Sequence, residues 1–214
     1  MIRGTDISHW NDTINIAALP ADIAFVSVKA TQGATGQDPF FQTAYHALKN
    51  ERPEIIRIPY HFFDWQADGV AQAKNVLSRG VNYTEPGTGP LMLDLEGDGE
   101  VGIFVTQNKA LCIQRVNDFI AYIQANCGRL ELFIYSFDNF IKQNLGGHTW
   151  PGTIFWVSSF QSTPPPFLPG WPYKMWQYSE FGQLDGTVTG GNYDLDQWMG
   201  TQQELNTLAN IPTT

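Results

Sequence analysis

Pro90-Leu-Met-Leu-Asp-Leu-Glu96 is a short apolar run that closes on two acids two residues apart. Its length and lack of polar interruption read as a buried strand. Side chains alternate faces along a strand, so Asp94 and Glu96 project the same way, with Cα atoms about 6–7 Å apart. Two carboxyls that close in a partly dry site resist joint ionisation, and one of them is held as a proton donor at neutral pH. Glycosidic cleavage uses such a pair: an acid for the leaving oxygen and a negative partner for the developing cation. From spacing alone the pair is more simply the start of a solvated loop, or an oxygen ligand set for a divalent cation.

Outward from this run, apolar stretches of strand length alternate with helical patterns. The predicted strands are 4–8, 23–30, 55–63, 90–96, 131–136, 153–159, 173–178 and 193–198. The predicted helices are 39–50, 67–79, 107–126, 138–144 and 202–210. Ala110, Leu111, Ile113, Val116, Phe119, Ile120 and Ile123 recur at helical spacing, and Gly128 follows as a stop. Repeating strand–helix units predict a parallel sheet, and eight strands predict its closure. The last strands are joined by stretches rich in Pro and Gly, 163–166 and 182–191, that are too poor in helical pattern for crossover helices. The expected fold is therefore α/β, a TIM-like barrel of five β/α units followed by three strands, (β/α)5(β)3. No linker divides the chain, which reads as one domain over 1–214.

Chemistry in such barrels sits at the C-terminal ends of the strands. Asp6, Tyr60, His61, Asp94, Glu96, Tyr135, Trp176, Gln177 and Asp194 all fall near predicted strand ends. Asp6 or Asp194 alone is more simply a solvated or capping residue. Four acids on one rim favour a site. Lys29 lies in a buried strand, equally suited to pairing with a rim acid or to touching substrate. The aromatic share is 14%, with seven Trp, which suits a cleft where apolar faces stack on pyranose rings. Trp150, Trp171 and Trp198 read as packing, and His9 and His61 as structural.

The net charge of −9 argues against nucleic-acid binding, which needs a basic surface. The four His lack zinc spacing, so no metal or cofactor is expected. No apolar stretch is long enough to span a bilayer, and the first residues lack the apolar run of a signal peptide. Cys112 and Cys127 bound a segment read as helix, which would hold them about 22 Å apart. That is beyond disulfide reach, so both are expected as free thiols.

The chain resembles glycoside hydrolase family 25, the lysozymes of the Chalaropsis type. The resemblance rests on Gly4-Thr-Asp-Ile-Ser-His-Trp10, Val28-Lys-Ala-Thr-Gln-Gly33, Pro59-Tyr-His-Phe62, Leu93-Asp-Leu-Glu96, Ile134-Tyr-Ser136, Phe155-Trp-Val157, Met175-Trp-Gln-Tyr-Ser179 and Tyr193-Asp-Leu-Asp196. These occur in order along nearly the whole chain. The resemblance implies cleavage of the β-1,4 bond from N-acetylmuramic acid to N-acetylglucosamine in peptidoglycan, with retention of configuration. It implies Glu96 as general acid/base, Asp94 as second carboxylate, and Asp6 and Asp194 as supporting aspartates. Tyr60, Tyr135 and Trp176 would line the sugar cleft, joined by Gln177 and Lys29. Departures from the family pattern are Gln32 where Glu is frequent, Ser158 and Phe160 where Ala and Tyr are frequent, and Asp196 where Asn is frequent.

Asp94 has two possible roles: a nucleophile, or an orienter of the substrate's own N-acetyl oxygen. Two acids on one strand end lie on one side of the sugar, which favours the second. Competing functions are an inactive wall-binding module of the same fold and a hydrolase of another N-acetylated glycan such as chitin. The expected enzyme is a monomer acting on bacterial glycan strands, as a phage-released lysin, an exported effector or a mature secreted enzyme.

Overall fold

The computed structural model describes residues 1–97, 108–166, 170–184 and 192–212. Its strands are β1 (Ile2–Ile7), β2 (Ile23–Gln32), β3 (Gly36–Gln37), β4 (Ile56–Phe62), β5 (Met92–Asp94), β6 (Phe133–Phe137), β7 (Ile154–Ser158), β8 (Tyr173–Gly182) and β9 (Tyr193–Trp198). Its helices are α1 (Phe41–Glu51), α2 (Gly69–Leu77), α3 (Lys109–Asn126), α4 (Asp138–Asn144) and α5 (Gln202–Leu208). The sheet order is β1-β9-β8-β7-β6-β5-β4-β2-β3, and β1 also pairs with β2. Eight strands therefore close into a barrel, with β3 as an extra edge strand. The result is the mixed α/β barrel expected from the pattern of elements.

Besides the extra strand β3, the structure departs from the sequence reading in these main respects. The first connection, β1 to β2, holds two short 3-10 turns, His9–Asn11 and Ile16–Ala18, and no α-helix. Among the described residues only α1 to α4 are crossovers; the fifth helix follows β9. The strand expected at 90–96 shortens to Met92–Asp94. Last, β9 runs antiparallel to both β8 and β1, so the ladder is not parallel throughout. Position 107, the expected start of α3, and most of the 182–191 connection lie outside the described residues.

Strand alternation sorts the apolar side chains into two cores. Phe25, Ile58, Met92, Phe133, Trp156 and Met175 fill the barrel interior. Val26, Val28, Leu93, Ile134 and Val157 point outward against Leu48, Val76, Phe119 and Ile123 of the helices. On α3 the buried stripe is Cys112, Val116, Phe119, Ile120 and Ile123, while Leu111, one of the residues at helical spacing, is exposed. Asn108 caps that helix by accepting from the N–H groups of Ala110 and Leu111, which satisfies two orphan donors of its first turn. Asp68 does the same for α2 through Ala71. The two helices touch at Gly69, where an added Cβ would come within 1.9 Å of the Arg115 carbonyl oxygen. Cys112 lies in α3 and Cys127 just past it, both as free thiols.

Leu205 and Ala209, in and just after α5, join the interior cluster with Phe25, Ile56 and Trp198. This helix thus stoppers the barrel at the end where the parallel strands begin. The other end, where they finish, stays open.

Candidate active site

The open end holds a cavity of about 630 Å³, within the range of small-molecule clefts. Inward-facing residues near the strand ends supply its wall: Asp6 from β1, Lys29 from β2, Tyr60 from β4, Asp94 from β5, Tyr135 from β6 and Gln177 from β8. Asp194 joins them from the start of β9. A strand's beginning reaches this rim only because β9 is antiparallel, in register Asp6↔Asp194.

Asp94 is the last residue of β5, and Glu96 follows just beyond it. Their backbone is pinned from both sides. Phe63 N–H donates to the Asp94 carbonyl at 3.0 Å and Leu95 N–H donates to Tyr135 O at 2.9 Å. Ser136 Oγ donates to Leu95 O at 2.7 Å, and the Trp65 indole donates to Glu96 O at 2.9 Å. Leu93 and Leu95 pack into the outer core, which turns Asp94 and Glu96 together toward the cavity. The alternation expected from the sequence thus persists one step past the strand.

Burial dominates the electrostatics. It raises Glu96 from 4.5 to about 7, reinforced by the charge of Asp6 and opposed by Lys29. Burial raises Asp94 well above the usual carboxylate range, with Glu96 adding like charge. Among the described residues Asp94 Oδ1 is buried without a hydrogen-bond partner, which makes its ionisation costlier still. Asp194 rises to about 8, again through burial first, then Asp6 and Glu180. Several acids that a solvated loop would leave ionised are here biased to carry protons at neutral pH.

A hydrogen-bonded wall orients this group. Tyr135 OH and Ser158 Oγ both donate to Gln177 Oε1, at 2.8 and 2.9 Å, and Gln177 Nε2 donates to Asp6 Oδ2 at 2.8 Å. The two hydroxyls fix which end of the amide faces Asp6. Behind Asp6 lies Asp196, which is fully buried and accepts from the Trp156 indole at 3.0 Å. Burial, and then the charges of Asp6 and Asp194, raise Asp196 well above the usual carboxylate range, which favours a proton on this buried pair.

Not every expected residue arrives here. Trp176 faces the outer core, where its indole donates to Ser159 O at 2.8 Å. Its neighbours Met175 and Gln177 take the inward face, and adjacent strand residues cannot share one. His61 is structural. It bonds Thr31 Oγ1 at 2.7 Å and Gln72 Oε1 at 3.1 Å, and burial lowers it to about 4, so it is neutral. Other rings, not named as site residues from the sequence, line this cavity. Phe62 and Phe137 stand two positions after Tyr60 and Tyr135 on the same faces, and Trp10 and Phe160 line the outer walls. Trp10 is 83% exposed. Two-residue periodicity pointed to Phe62 and Phe137; nothing local pointed to Trp10.

An acid held near 7 beside a second carboxyl, at the C-terminal mouth of a closed barrel and among open aromatic faces, defines a glycoside hydrolase type of site. Residues 5–187 match the family described as Glycosyl hydrolases family 25. The chain is similar to the bacterial lysozyme from Streptomyces coelicolor, with a TM-score of 0.88 and 29% identity, over 98% of this chain and 97% of that one. It is similar to a family GH25 lysozyme from Aspergillus fumigatus, with a TM-score of 0.86 and 26% identity, over 97% and 98% of the two chains. The N,O-diacetylmuramidase of Chalaropsis sp is 28% identical over 202 residues, 91% of this chain and 96% of that protein. The chain belongs to glycosyl hydrolases family 25.

Proposed function

We propose that the protein is a lysozyme: an endo-acting N-acetylmuramidase that hydrolyses the β-1,4 bond between N-acetylmuramic acid and N-acetylglucosamine in bacterial peptidoglycan, with retention. Residues 1–214 form one catalytic domain in this reading, working as a monomer on glycan strands without entering a membrane. The carrying observation is the pair Asp94 and Glu96 on one pinned stretch of one cavity wall, with Glu96 held at about 7.

Glu96 gives its proton to the leaving oxygen as the glycosidic bond breaks, then takes one from the attacking water. Asp94 stands on the same side and lines the cavity while only 6% exposed. That placement suits an orienter better than a nucleophile, which attacks from the face opposite the acid. Asp94 accepts from the N–H of the substrate's acetamide, and the acetamide oxygen closes on the anomeric carbon. Water opens the resulting oxazolinium ion with net retention. Asp6 and Asp194 face the sugar from the β1–β9 side and present carboxyl oxygens toward the anomeric centre.

Digestion of purified peptidoglycan with labelling of the new reducing ends tests the reading. Muramic acid ends, absent with Glu96→Gln, are the expected result; glucosamine ends would redirect it to another bond, and no new ends would refute it. Asp94→Asn is expected to be severely slowed without accumulating a glycosyl-enzyme. A sugar found by mass spectrometry on Asp94 of the slowed Glu96→Gln enzyme would make Asp94 the nucleophile instead. Release from a phage, export as an effector, or secretion would each bring such an enzyme to the wall.

A further inference from the structure

A second hollow, of about 350 Å³, adjoins the active-site cavity and shares Lys29 with it. It is built from the turn between β2 and β3 and the segment after it, including Gln32, Thr35, Gln37 and Asp38. The turn is held open from behind. Asn75 Nδ2 donates to both Gly33 O and Gly36 O at 2.9 Å. Asp38, itself buried, accepts from His9 Nδ1 at 2.7 Å and from the Phe40 N–H at 2.9 Å.

The two hollows differ in chemistry. The active-site cavity presents aromatic rings, including Trp10, Tyr60 and Phe62, as pyranose rings require. Among the described residues the second hollow has no Phe, Tyr or Trp in its wall; it is lined by the amides of Gln32 and Gln37, the Thr35 hydroxyl, turn backbone, and the side chains of His9, Lys29, Asp38 and Asp64. Its outer lip, β3, is the edge of the sheet, and both of its residues are exposed. An exposed edge offers backbone groups to an extended chain. Such a hollow fits a peptide rather than another sugar.

Lys29 lies within electrostatic reach of Asp94, Glu96 and Asp38, so the junction of the two hollows is beside the reacting centre. A sugar whose C2 acetamide rests on Asp94 turns its neighbouring C3 substituent toward one flank of that residue. On muramic acid that substituent is the lactyl ether carrying the stem peptide. We propose that the second hollow is the subsite for this stem peptide, entered past Lys29. The inference rests on the muramidase reading and names the part of the substrate that reading leaves unplaced.

The test compares uncrosslinked glycan strands bearing peptides with the same strands stripped of peptide by an amidase. Wild type is expected to show a kcat/KM about tenfold higher on the peptide-bearing strands, the worth of one or two net hydrogen bonds. Thr35→Trp, on the exposed turn, is expected to erase that preference through KM while leaving stripped strands within about twofold of wild type. As a measure needing no variant, N-acetylmuramoyl peptide should inhibit wild type about tenfold more tightly than N-acetylmuramic acid. Equal kcat/KM of wild type on both strands, equal inhibition by both compounds, or a preference surviving in Thr35→Trp would overturn the subsite. Cleavage of neither strand by wild type would refute the muramidase reading, and the subsite with it.

Discussion

Replacing Glu96 by Gln should kill the enzyme and stabilise it. The ordinary carboxyl value is 4.5 and the folded value is about 7, so folding opposes ionisation of this group. Below pH 4.5 both states keep the proton and the group is neutral toward stability. Between 4.5 and 7 the unfolded chain releases the proton while the folded chain holds it, and stability falls by about 1.4 kcal/mol per pH unit. Above 7 the loss levels off at about 3 kcal/mol. Gln mimics the protonated form at every pH and has nothing to lose. For a chain of this size about 3 kcal/mol corresponds to about 6–12 °C in Tm. Thermal scans of the two proteins should therefore coincide near pH 4 and separate by that amount near pH 8, with the variant higher. Over the same range kcat should fall by about 10²–10⁴. Parallel Tm curves from pH 4 to 8 would refute the reasoning, because a Glu96 that ionises freely is no proton donor at neutral pH.

The remaining expectations concern the surroundings of that acid. Asp196→Asn keeps a donor toward Asp6 and an acceptor for Trp156 that no pH change removes. It should extend activity toward alkaline pH while preserving the acid-side rate, and superimposable pH profiles would contradict a proton held between Asp6 and Asp196. Gln177→Leu keeps the volume but strips Tyr135, Ser158 and Asp6 of their shared partner; unfolding in urea should show a loss of about 2–4 kcal/mol, and kcat should fall more than KM changes. Gly69→Ala forces a Cβ against the Arg115 carbonyl and should cost about 1–3 kcal/mol, read as a lower denaturation midpoint with unchanged kcat in the folded protein.

The barrel was legible because its strands are short apolar runs cut off by polar ends, and those ends are where a barrel keeps its chemistry. Asp94 and Glu96 could be paired on one face by counting alone. Counting also contained the correction for Trp176, since Trp176 and Gln177 are adjacent and one of them had to face away. The direction of β9 was not legible. Tyr-Asp-Leu-Asp-Gln-Trp alternates in the same way whichever way it runs, and Asp194 reaches the rim only by running backward. β3 carried no periodicity over its two residues, so the second hollow had no trace in the pattern. The 3-10 turns after β1 escaped for a similar reason: they are too short to show a helical repeat.

The pairing of β1 with β9 has a consequence for how the protein is made. Ile2 lies opposite Trp198, and the Thr5 hydroxyl donates to the Asp194 carbonyl at 2.6 Å. A chain emerging from the ribosome must carry one unsealed flank of β1 until β9 has appeared, so closure of the barrel waits for β9. Contacts this distant in sequence are slow to form, and the half-made sheet is exposed to mispairing meanwhile. The acids from β1 and β9 meet in that same final step, so the nascent chain has no assembled carboxyl cluster before the seam is sewn.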